Sequence, residues 1–352
     1  MATDRAAARQ RLVAWIPRWW AGEGGVLGGV LDVALLPAEG LYRGIVALRN
    51  LGYERGGLRV VPSPLPVVSI GNISVGGAGK TPFAAWVARW YEEAGLRPAI
   101  VLRGYGEDEV LLHQELNSEI PIFTARRRIE AARAAHTAGC EVVVLDDGFQ
   151  HRALVRDLDL VLVSVEAWQS HRRLLPRGPW REPASALRRA AAVVLTRKSA
   201  PAEQAASVRS QLARVAPGIP LVDCRITPAG LEPLHGDSPT PIDLDALERR
   251  HVLAVAGLAN PEPFAANLRA AGATVELAAF PDHHSFSAAD ARLLSRRAAE
   301  RPLIMTGKDA VKLRPLLPPR SEAYVLKQRV EIGDGHGLLR RYLESLLEHS
   351  VR

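Results

Sequence analysis

The sequence contains little cysteine, little lysine and no long uninterrupted apolar run. Its two cysteines, Cys140 and Cys224, are too few for a disulfide scaffold and lack the spacing of a metal site, so a reducing compartment is expected. The longest apolar stretch near the start, residues 26–36, is interrupted by two glycines and an aspartate. A membrane-spanning helix needs about 18 or more apolar residues, so none is predicted.

Only five of the 45 basic residues are lysines, and the formal net charge is +7. A net positive charge of this size is typical of proteins that bind nucleic acid, a membrane surface or an anionic substrate. The sequence has no basic helix interleaved with aromatic residues and no zinc-finger or RNA-binding motif, so no nucleic-acid partner is predicted. With 47% hydrophobic and 24% charged residues, the chain has a globular composition, which excludes disordered, collagen-like and coiled-coil classes.

The first 60 residues form a segment of their own, rich in arginine and apolar residues at helical spacing, with Trp15, Trp19 and Trp20 close together. Tryptophan rings and arginines of this kind suit the interface of a bilayer that carries anionic lipid. A helical arm packed on the protein's own core would have a similar composition. From composition alone, both interpretations stay open.

Beyond this segment, short apolar runs alternate with helical segments, at residues 67–70, 99–102, 142–145, 160–165 and 192–195. Continuous rather than alternating apolar runs indicate a parallel sheet covered by helices on both faces. A proline- and glycine-rich stretch at about 220–250 suggests a hinge, and further strands are expected at 251–256, 274–279 and 303–306. The predicted division is an N-terminal helical segment 1–60, an α/β domain 61–225, a linker 226–250 and a smaller α/β domain 251–352.

A glycine-rich loop between a predicted strand and a predicted helix is the most informative motif. Its glycines allow backbone N–H groups to surround a phosphate at a helix N-terminus, whose dipole favours anions. The lysine would reach the β- and γ-phosphates, and the threonine hydroxyl would bind Mg²⁺. A serine stands where the general pattern has its first glycine. The predicted nucleotide-binding residues are Ser74, Val75, Gly76, Gly77, Ala78, Gly79, Lys80 and Thr81.

A second motif is an apolar strand that ends in two carboxylates, Asp146 and Asp147. Parallel strands bring their last residues to the edge of the sheet at which the phosphate loop also opens. One or both aspartates would therefore serve Mg²⁺, directly or through water. Because an aspartate after a strand often only caps the following helix, the motif gains its meaning from the phosphate loop 65 residues upstream.

Taken together, these motifs resemble those of the tetraacyldisaccharide 4'-kinase family of lipid A synthesis. The resemblance covers about residues 10–315 in ordered blocks, which include GNISVGGAGKTP at 71–82, RGYG at 103–106, DDGFQH at 146–151, LLPRGPWREP at 174–183, AGLANP at 256–261, FPDHH at 280–284 and TGKDAVK at 306–312. It implies a P-loop domain, a smaller α/β domain and an N-terminal membrane-docking segment.

The resemblance also implies a reaction, in which the γ-phosphoryl group of ATP, with Mg²⁺, passes to the 4'-hydroxyl of an acylated glucosamine disaccharide 1-phosphate. Because such an acceptor keeps its acyl chains in the bilayer, we expect a peripheral enzyme at the cytoplasmic face of the bacterial inner membrane. Arginine clusters at 126–128 and at Arg172, Arg173 and Arg177 are candidates for the acceptor's 1-phosphate or for lipid headgroups.

Two catalytic residues are carried over from the family's motifs, an aspartate that accepts the hydroxyl proton and a histidine that orients it. The matching positions are Asp108 and His283. This chain lacks the family's longer insert before the acidic motif, and its proline, so Glu107 and Glu109 compete with Asp108 for the same role. The alternative function is a membrane-associated P-loop ATPase switch, which would hydrolyse ATP without a sugar acceptor.

Overall fold

The computed structural model describes residues 15–104, 107–168, 172–236, 242–258, 260–282 and 284–347. The chain divides into two compact units, of which the larger contains Arg18–Arg225 and Val330–Arg352 and the smaller contains Ile226–Arg329. The chain thus leaves the larger unit once and returns to it.

The larger unit is built on parallel strands, of which the last in the chain, Leu221–Pro233, continues past Arg225 into the smaller unit. The first, second and fourth strands are buried along their whole length, which explains why their sequences are continuously apolar. This confirms the predicted parallel α/β class. The strands are β1 Val67–Asn72, β2 Pro98–Leu102, β3 Ile122–Thr124, β4 Val142–Asp146, β5 Leu158–Ser164, β6 Ala192–Arg197 and β7 Leu221–Pro233. Their order in the sheet is β3-β2-β4-β1-β5-β6-β7.

The larger unit also contains helices that precede the sheet or pack against it. They are α1 Gly25–Ala34, α2 Leu36–Glu54, α3 Lys80–Glu93, α4 Glu107–Leu116, α5 Arg128–Thr137 and α6 Ala202–Val215. The buried residues of α3, such as Phe83, Val87 and Tyr91, recur at helical spacing and pack on the sheet. Ile129 of α5 packs with Val143 and other strand residues in one apolar cluster.

Four parallel strands form the smaller unit, in the order β11-β10-β8-β9. They are β8 His251–Gly257, β9 Thr274–Phe280, β10 Leu303–Met305 and β11 Ala323–Ile332, and the helices are α7 Glu262–Ala270, α8 Ala288–Ala298 and α9 Gly307–Leu313. Helix α8 begins with a capping box in which Ser287 and Asp290 satisfy each other's backbone N–H groups.

The compact units differ from the domain bounds expected from the sequence. Helix α10, His336–Glu344, was expected in the smaller domain, but Val330–Arg352 groups with the larger unit. The reason lies in hydrogen bonds: the Tyr91 hydroxyl donates to the carbonyl of Leu343 at 3.1 Å, and the Gly333 N–H donates to Asp223 O at 2.9 Å. Part of the expected linker continues strand β7 as far as Pro233.

The N-terminal helices α1 and α2 expose an apolar surface. No single helix among the described residues is long and apolar enough to cross a membrane, whereas α1 and α2 together reach that length and composition with a bend of 52°. Trp19 anchors the start of α1 because its ring N–H donates to Gly28 O at 3.1 Å. Residues 1–14 of the predicted N-terminal segment lie outside the described residues.

Candidate active site

The glycine-rich loop lies between β1 and α3. Gly76 and Gly79 have φ angles of 117° and 84°, which L-residues with a side chain rarely adopt. Helix α3 begins directly after Gly79, at Lys80. The N–H groups of its first turn have no acceptor within the helix and point toward the loop, as in an anion-binding site.

Neighbouring segments hold the loop from outside. The Val75 N–H donates to Pro179 O at 2.6 Å, and the Asn72 side-chain amide donates to Ser74 O at 2.6 Å. From the end of β6, the Thr196 hydroxyl donates to Ala78 O at 2.9 Å. The loop is therefore fixed by contacts from three segments of the larger unit.

Lys80 and Asp147 meet beside the loop, with the lysine Nζ 3.4 Å from Asp147 Oδ1. The Arg181 guanidinium donates to both oxygens of the same carboxylate at 3.0 Å. Burial would raise the pKa of Asp147, but the charges of Lys80 and Arg181 outweigh it and hold that pKa below its ordinary value. Asp147 is thus an anion at neutral pH between two cations.

Asp146 lies almost fully buried at the end of β4, next to the first turn of α3. Its Oδ2 accepts a hydrogen bond from the Thr81 hydroxyl at 3.2 Å and lies 3.0 Å from Nε2 of His113. Its Oδ1 is buried and has no hydrogen-bond partner among the described residues. His113, on α4, is completely buried. Sequence reasoning missed this residue, because a lone histidine in a helix carries no motif.

These residues fit a magnesium ion. A buried carboxylate oxygen without a partner stands beside a threonine hydroxyl at the mouth of a phosphate loop, and both are hard oxygen ligands. No cluster of three or more His, Cys, Asp or Glu side chains suited to a metal occurs in the described part of the chain. Mg²⁺ in phosphate-transfer sites needs only one or two protein ligands, since phosphate and water supply the rest.

Lys198, which follows β6, is a further basic group at the loop. Its Nζ donates to Gly77 O at 3.1 Å, and burial lowers the pKa of its ammonium group. The Glu166 carboxylate accepts the backbone N–H groups of three consecutive residues, at 198–200, at distances of 2.7 to 3.1 Å. Glu166 thereby fixes the turn that carries Lys198. The available signal in the sequence was that Lys198, one of only five lysines, follows a predicted strand.

Two further basic residues, Arg128 and His151, have lowered pKa values. Arg128 is buried, and its pKa is lowered by burial and by Arg103, an effect that Asp147 and Asp146 oppose. His151 ends the motif that follows the aspartates. Burial and the neighbouring arginines, Arg128 first among them, lower the pKa of His151 to about 4, so its ring is neutral at pH 7.

The structure describes some of the expected catalytic residues and not others. Asp108 lies in the first turn of α4 and is 8% exposed, and Glu109 is half-buried. The side chain of Glu107 and the whole of His283 lie outside the described residues. Helix α4 also carries His113, so the acidic segment belongs to the same helix that contacts Asp146. The structure thus brings Lys80, Thr81, Asp146 and Asp147 together, with Asp108 on an adjoining helix.

Fold and site together define a phosphate-binding-loop protein of the P-loop nucleotide-binding class. The family model described as tetraacyldisaccharide-1-P 4'-kinase matches residues 31–348. The chain is 41% identical over 327 residues to the tetraacyldisaccharide 4'-kinase of Anaeromyxobacter dehalogenans strain 2CP-C, covering 85% of this chain and 86% of the relative. For the same kinase of Xanthomonas euvesicatoria, identity is 37% over 301 residues, with 80% and 84% covered.

Among solved structures, the crystal structure of LpxK from Aquifex aeolicus in complex with ATP aligns with a TM-score of 0.71 and 28% identity, covering 90% of this chain and 99% of that one. The chain therefore belongs to the tetraacyldisaccharide-1-P 4'-kinase family. This confirms the family resemblance and the assignment as a kinase of lipid A biosynthesis.

Proposed function

We propose that this chain transfers the γ-phosphoryl group of ATP to the 4'-hydroxyl of a tetraacylated glucosamine disaccharide 1-phosphate, which yields lipid IVA. The observation that carries the proposal is the assembly of Lys80, Thr81, Asp146 and Asp147 around one glycine-rich loop, in a chain that the kinase family model matches over residues 31–348.

The loop residues bind and orient the donor. Backbone N–H groups at the start of α3 hold phosphate oxygens, and Lys80 turns from Asp147 toward the β- and γ-phosphates. Thr81 and Asp146 would hold Mg²⁺, which would neutralise the charge that develops on the phosphate oxygens. Arg181 keeps the Asp147 carboxylate oriented by its contacts to both oxygens.

A sugar hydroxyl is a weak nucleophile, so its proton must pass to a base as the new bond to phosphorus forms. We assign this role to Asp108, with Glu107 and Glu109 as the alternatives on the same turn of α4. His283 is assigned the orientation of that carboxylate. The support for both assignments is the family motif, together with the burial of Asp108 on the helix that contacts Asp146.

The acceptor's acyl chains require contact with a bilayer, and α1 and α2 suit this role. Val26, Val30 and Val33 of α1 are 88%, 59% and 69% exposed, and Leu41 and Leu48 of α2 are 68% and 71% exposed. Exposed apolar side chains on consecutive helices are typical of interfacial docking. We therefore propose peripheral binding at the cytoplasmic face of the inner membrane.

The reaction is tested with purified protein, radiolabelled ATP and the disaccharide 1-phosphate in detergent micelles, followed by chromatography of the lipid. We expect label in the lipid and little free phosphate in the absence of acceptor. Release of free phosphate with no labelled lipid would support the alternative, an ATPase switch.

Membrane docking is tested by sedimentation with vesicles that contain anionic phospholipid. We expect the triple substitution Val26→Ser, Val30→Ser and Val33→Ser to lower the bound fraction strongly, because it removes apolar area from the docking surface. The control is Leu293→Ser, an exposed leucine on α8 of the smaller unit. Equal binding of the triple variant and the control would refute docking through α1.

A further inference from the structure

Helix α2 has two different faces. Its outer face carries exposed apolar side chains of the docking surface, among them Leu41 and Leu48, which are 68% and 71% exposed. Tyr42 and Asn50 lie on the inner face, about two helical turns apart. The inner face thus carries polar groups toward the larger unit, while the outer face is apolar.

The inner face of α2 bonds to two consecutive residues, Arg181 and Glu182. The Tyr42 hydroxyl donates to Arg181 O at 3.0 Å. The Asn50 side-chain amide donates to Oε2 of Glu182 at 3.0 Å. These two residues end the stretch 179–182, which we call the linking segment.

Glu182 is completely buried, so its charge depends on the side chains around it. Besides the Asn50 amide, it accepts a hydrogen bond from Arg189 at 2.9 Å, and Nη2 of Arg49 lies 3.6 Å from its Oε1. A buried carboxylate is stable only while donors and cations surround it, because burial removes its hydration. Since α2 supplies both Asn50 and Arg49, a displacement of α2 would also displace the linking segment.

The linking segment also contacts the candidate active site. The Arg181 guanidinium donates to both oxygens of Asp147 at 3.0 Å. The Arg181 backbone N–H donates to Ile73 O at 2.8 Å, and the Val75 N–H donates to Pro179 O at 2.6 Å. One segment therefore contacts α2, the start of the phosphate loop and the second aspartate of the pair.

Arg181 affects how readily Lys80 can bind phosphate. Asp147 has a φ angle of 53°, in the left-handed region that residues with a side chain seldom adopt, and its Oδ1 lies 3.4 Å from the lysine Nζ. With Arg181 in place, a second cation neutralises Asp147, so Lys80 can leave it for the phosphates of ATP. Without Arg181, the carboxylate would keep Lys80 as its cation and compete with phosphate.

Helix α2 is held to the larger unit with little apolar burial. Of its 19 residues, all in the described part of the chain, Glu39 and Val46 are the buried ones. Elements with so few buried apolar contacts detach at low cost in free energy. A bilayer binds the outer face, whereas the polar inner face is excluded from hydrocarbon, so docking favours the conformation in which the inner face stays on the protein.

We propose that docking on an anionic bilayer strengthens ATP binding, and that Tyr42 and Asn50 are the positioning residues that transmit docking to Arg181. The effect rests on the proposed function, because it requires the docking of α1 and α2. It adds that the bilayer surface, without any acceptor, is an effector of the nucleotide site. By linkage, ATP should strengthen vesicle binding by the same factor.

The test measures the Kd of a radiolabelled, non-hydrolysable ATP analogue with Mg²⁺ by equilibrium dialysis, in the absence of acceptor. Vesicles of phosphatidylcholine and phosphatidylglycerol are present at saturating concentration or absent. We expect vesicles to lower the Kd of the wild-type protein about fivefold or more. In the double variant Tyr42→Phe and Asn50→Leu, they should change it less than about twofold, because both hydrogen bonds to the linking segment are lost.

Tyr53→Phe is the matched control. It removes a tyrosine hydroxyl from the same helix, one that has no hydrogen-bond partner among the described residues, and it keeps the ring that lies 5.3 Å from the Arg152 guanidinium carbon. Vesicles should lower its Kd as in wild type. The single variant Tyr42→Phe keeps the packed ring and loses only the hydroxyl, so it should fold and show an intermediate response.

Hydrogen–deuterium exchange gives a structural readout. The N–H groups of Arg181 and Glu182 both donate to Ile73 O, at 2.8 and 3.4 Å. We expect vesicles to slow exchange at these two amides in the wild-type protein and not in the double variant. A merely structural role of Tyr42 and Asn50 would speed exchange equally with and without vesicles.

Sedimentation separates this coupling from docking itself. At saturating lipid, the double variant should sediment with vesicles like wild type, because its outer face is intact. If wild type sediments but its Kd for the analogue is unchanged by vesicles, the proposal is wrong. It is also wrong if vesicles lower the Kd equally in the double variant and in Tyr53→Phe. A wild-type protein that does not sediment would contradict docking and the proposal with it, whereas the kinase reaction is tested separately by the assay with acceptor.

Discussion

His113 offers a sharp test of how the carboxylate of Asp146, the proposed Mg²⁺ ligand, is positioned. Its Nε2 lies 3.0 Å from Oδ2 of Asp146, and neither side chain has appreciable exposure to solvent. Substitution His113→Leu keeps an apolar volume in the site but removes the hydrogen bond. His113→Gln is the matched variant, because the glutamine amide nitrogen can occupy a position near that of Nε2.

The magnitude follows from these contacts. A hydrogen bond to a charged group contributes about 1.5 to 3 kcal/mol, and among the side chains that the structure describes Asp146 keeps only the Thr81 hydroxyl at 3.2 Å when the imidazole is lost. We expect His113→Leu to lower the free energy of unfolding by about 2 kcal/mol. Loss of an outer partner of a metal ligand typically weakens metal affinity by about 10- to 100-fold. The Mg²⁺ concentration for half-maximal ATP binding should rise accordingly.

Two measurements check this prediction, urea denaturation without nucleotide and calorimetric titration of ATP at a series of Mg²⁺ concentrations. We expect His113→Gln to lie close to wild type in both. If the leucine and glutamine variants have the same Mg²⁺ requirement, the hydrogen bond to Asp146 has no role in positioning that carboxylate.

Three further predictions concern the donor, the base and pH. Lys80→Ala should lower kcat by about 10²- to 10³-fold with an unchanged circular dichroism spectrum, and activity within threefold of wild type would contradict the P-loop assignment. Asp108→Ala should lower kcat by about 10²- to 10⁴-fold. In the double variant with His283→Ala, the loss of kcat should be much smaller than the product of the two single losses. A large loss of kcat for Glu109→Ala, without one for Asp108→Ala, would assign the role of base to Glu109. Because the pKa of His151 is lowered to about 4 in the folded state, the unfolded chain binds more protons below pH 6.5, so the free energy of unfolding should fall as pH decreases from 6.5 to 4. His151→Gln should reduce that slope in urea denaturation, and an equal slope would contradict the lowered pKa.

The carboxylates set a separate dependence on pH at lower values. The pKa of Asp147 is held below its ordinary value by Lys80 and Arg181, so its contribution to stability is present above the unfolded pKa and is lost as pH falls through the folded one. This loss occurs below about pH 4 and is therefore distinct from the His151 window above it.

Several features follow from local sequence. The buried parallel strands were predictable because strands covered on both faces are continuously apolar, as in β4. The phosphate loop was predictable because glycines at Gly76 and Gly79 permit positive φ angles directly before a helix. Both signals lie within a few consecutive residues, and the physical requirement acts on those residues themselves.

Other features depend on contacts between distant residues. His113 and Asp146 are 33 positions apart, and only the packing of α4 against α3 and β3 brings them within 3.0 Å. Similarly, the return of α10 to the larger unit depends on the bond from Tyr91 to Leu343, 252 positions away. No local pattern encodes such a pair, because the local preference of each residue for its own helix or strand does not depend on the other residue.

The sequence by itself determined the P-loop class and the kinase family and predicted Lys80, Thr81, Asp146 and Asp147 as site residues, because glycine spacing and strand ends constrain neighbouring positions directly. Only the tertiary structure decided that Arg181 contacts Asp147, that Lys198 approaches the loop, and that Tyr42 of α2 bonds to the segment that carries Arg181. Each of these depends on side chains from separate segments that fold against one another, and their distances are fixed by packing of the whole unit.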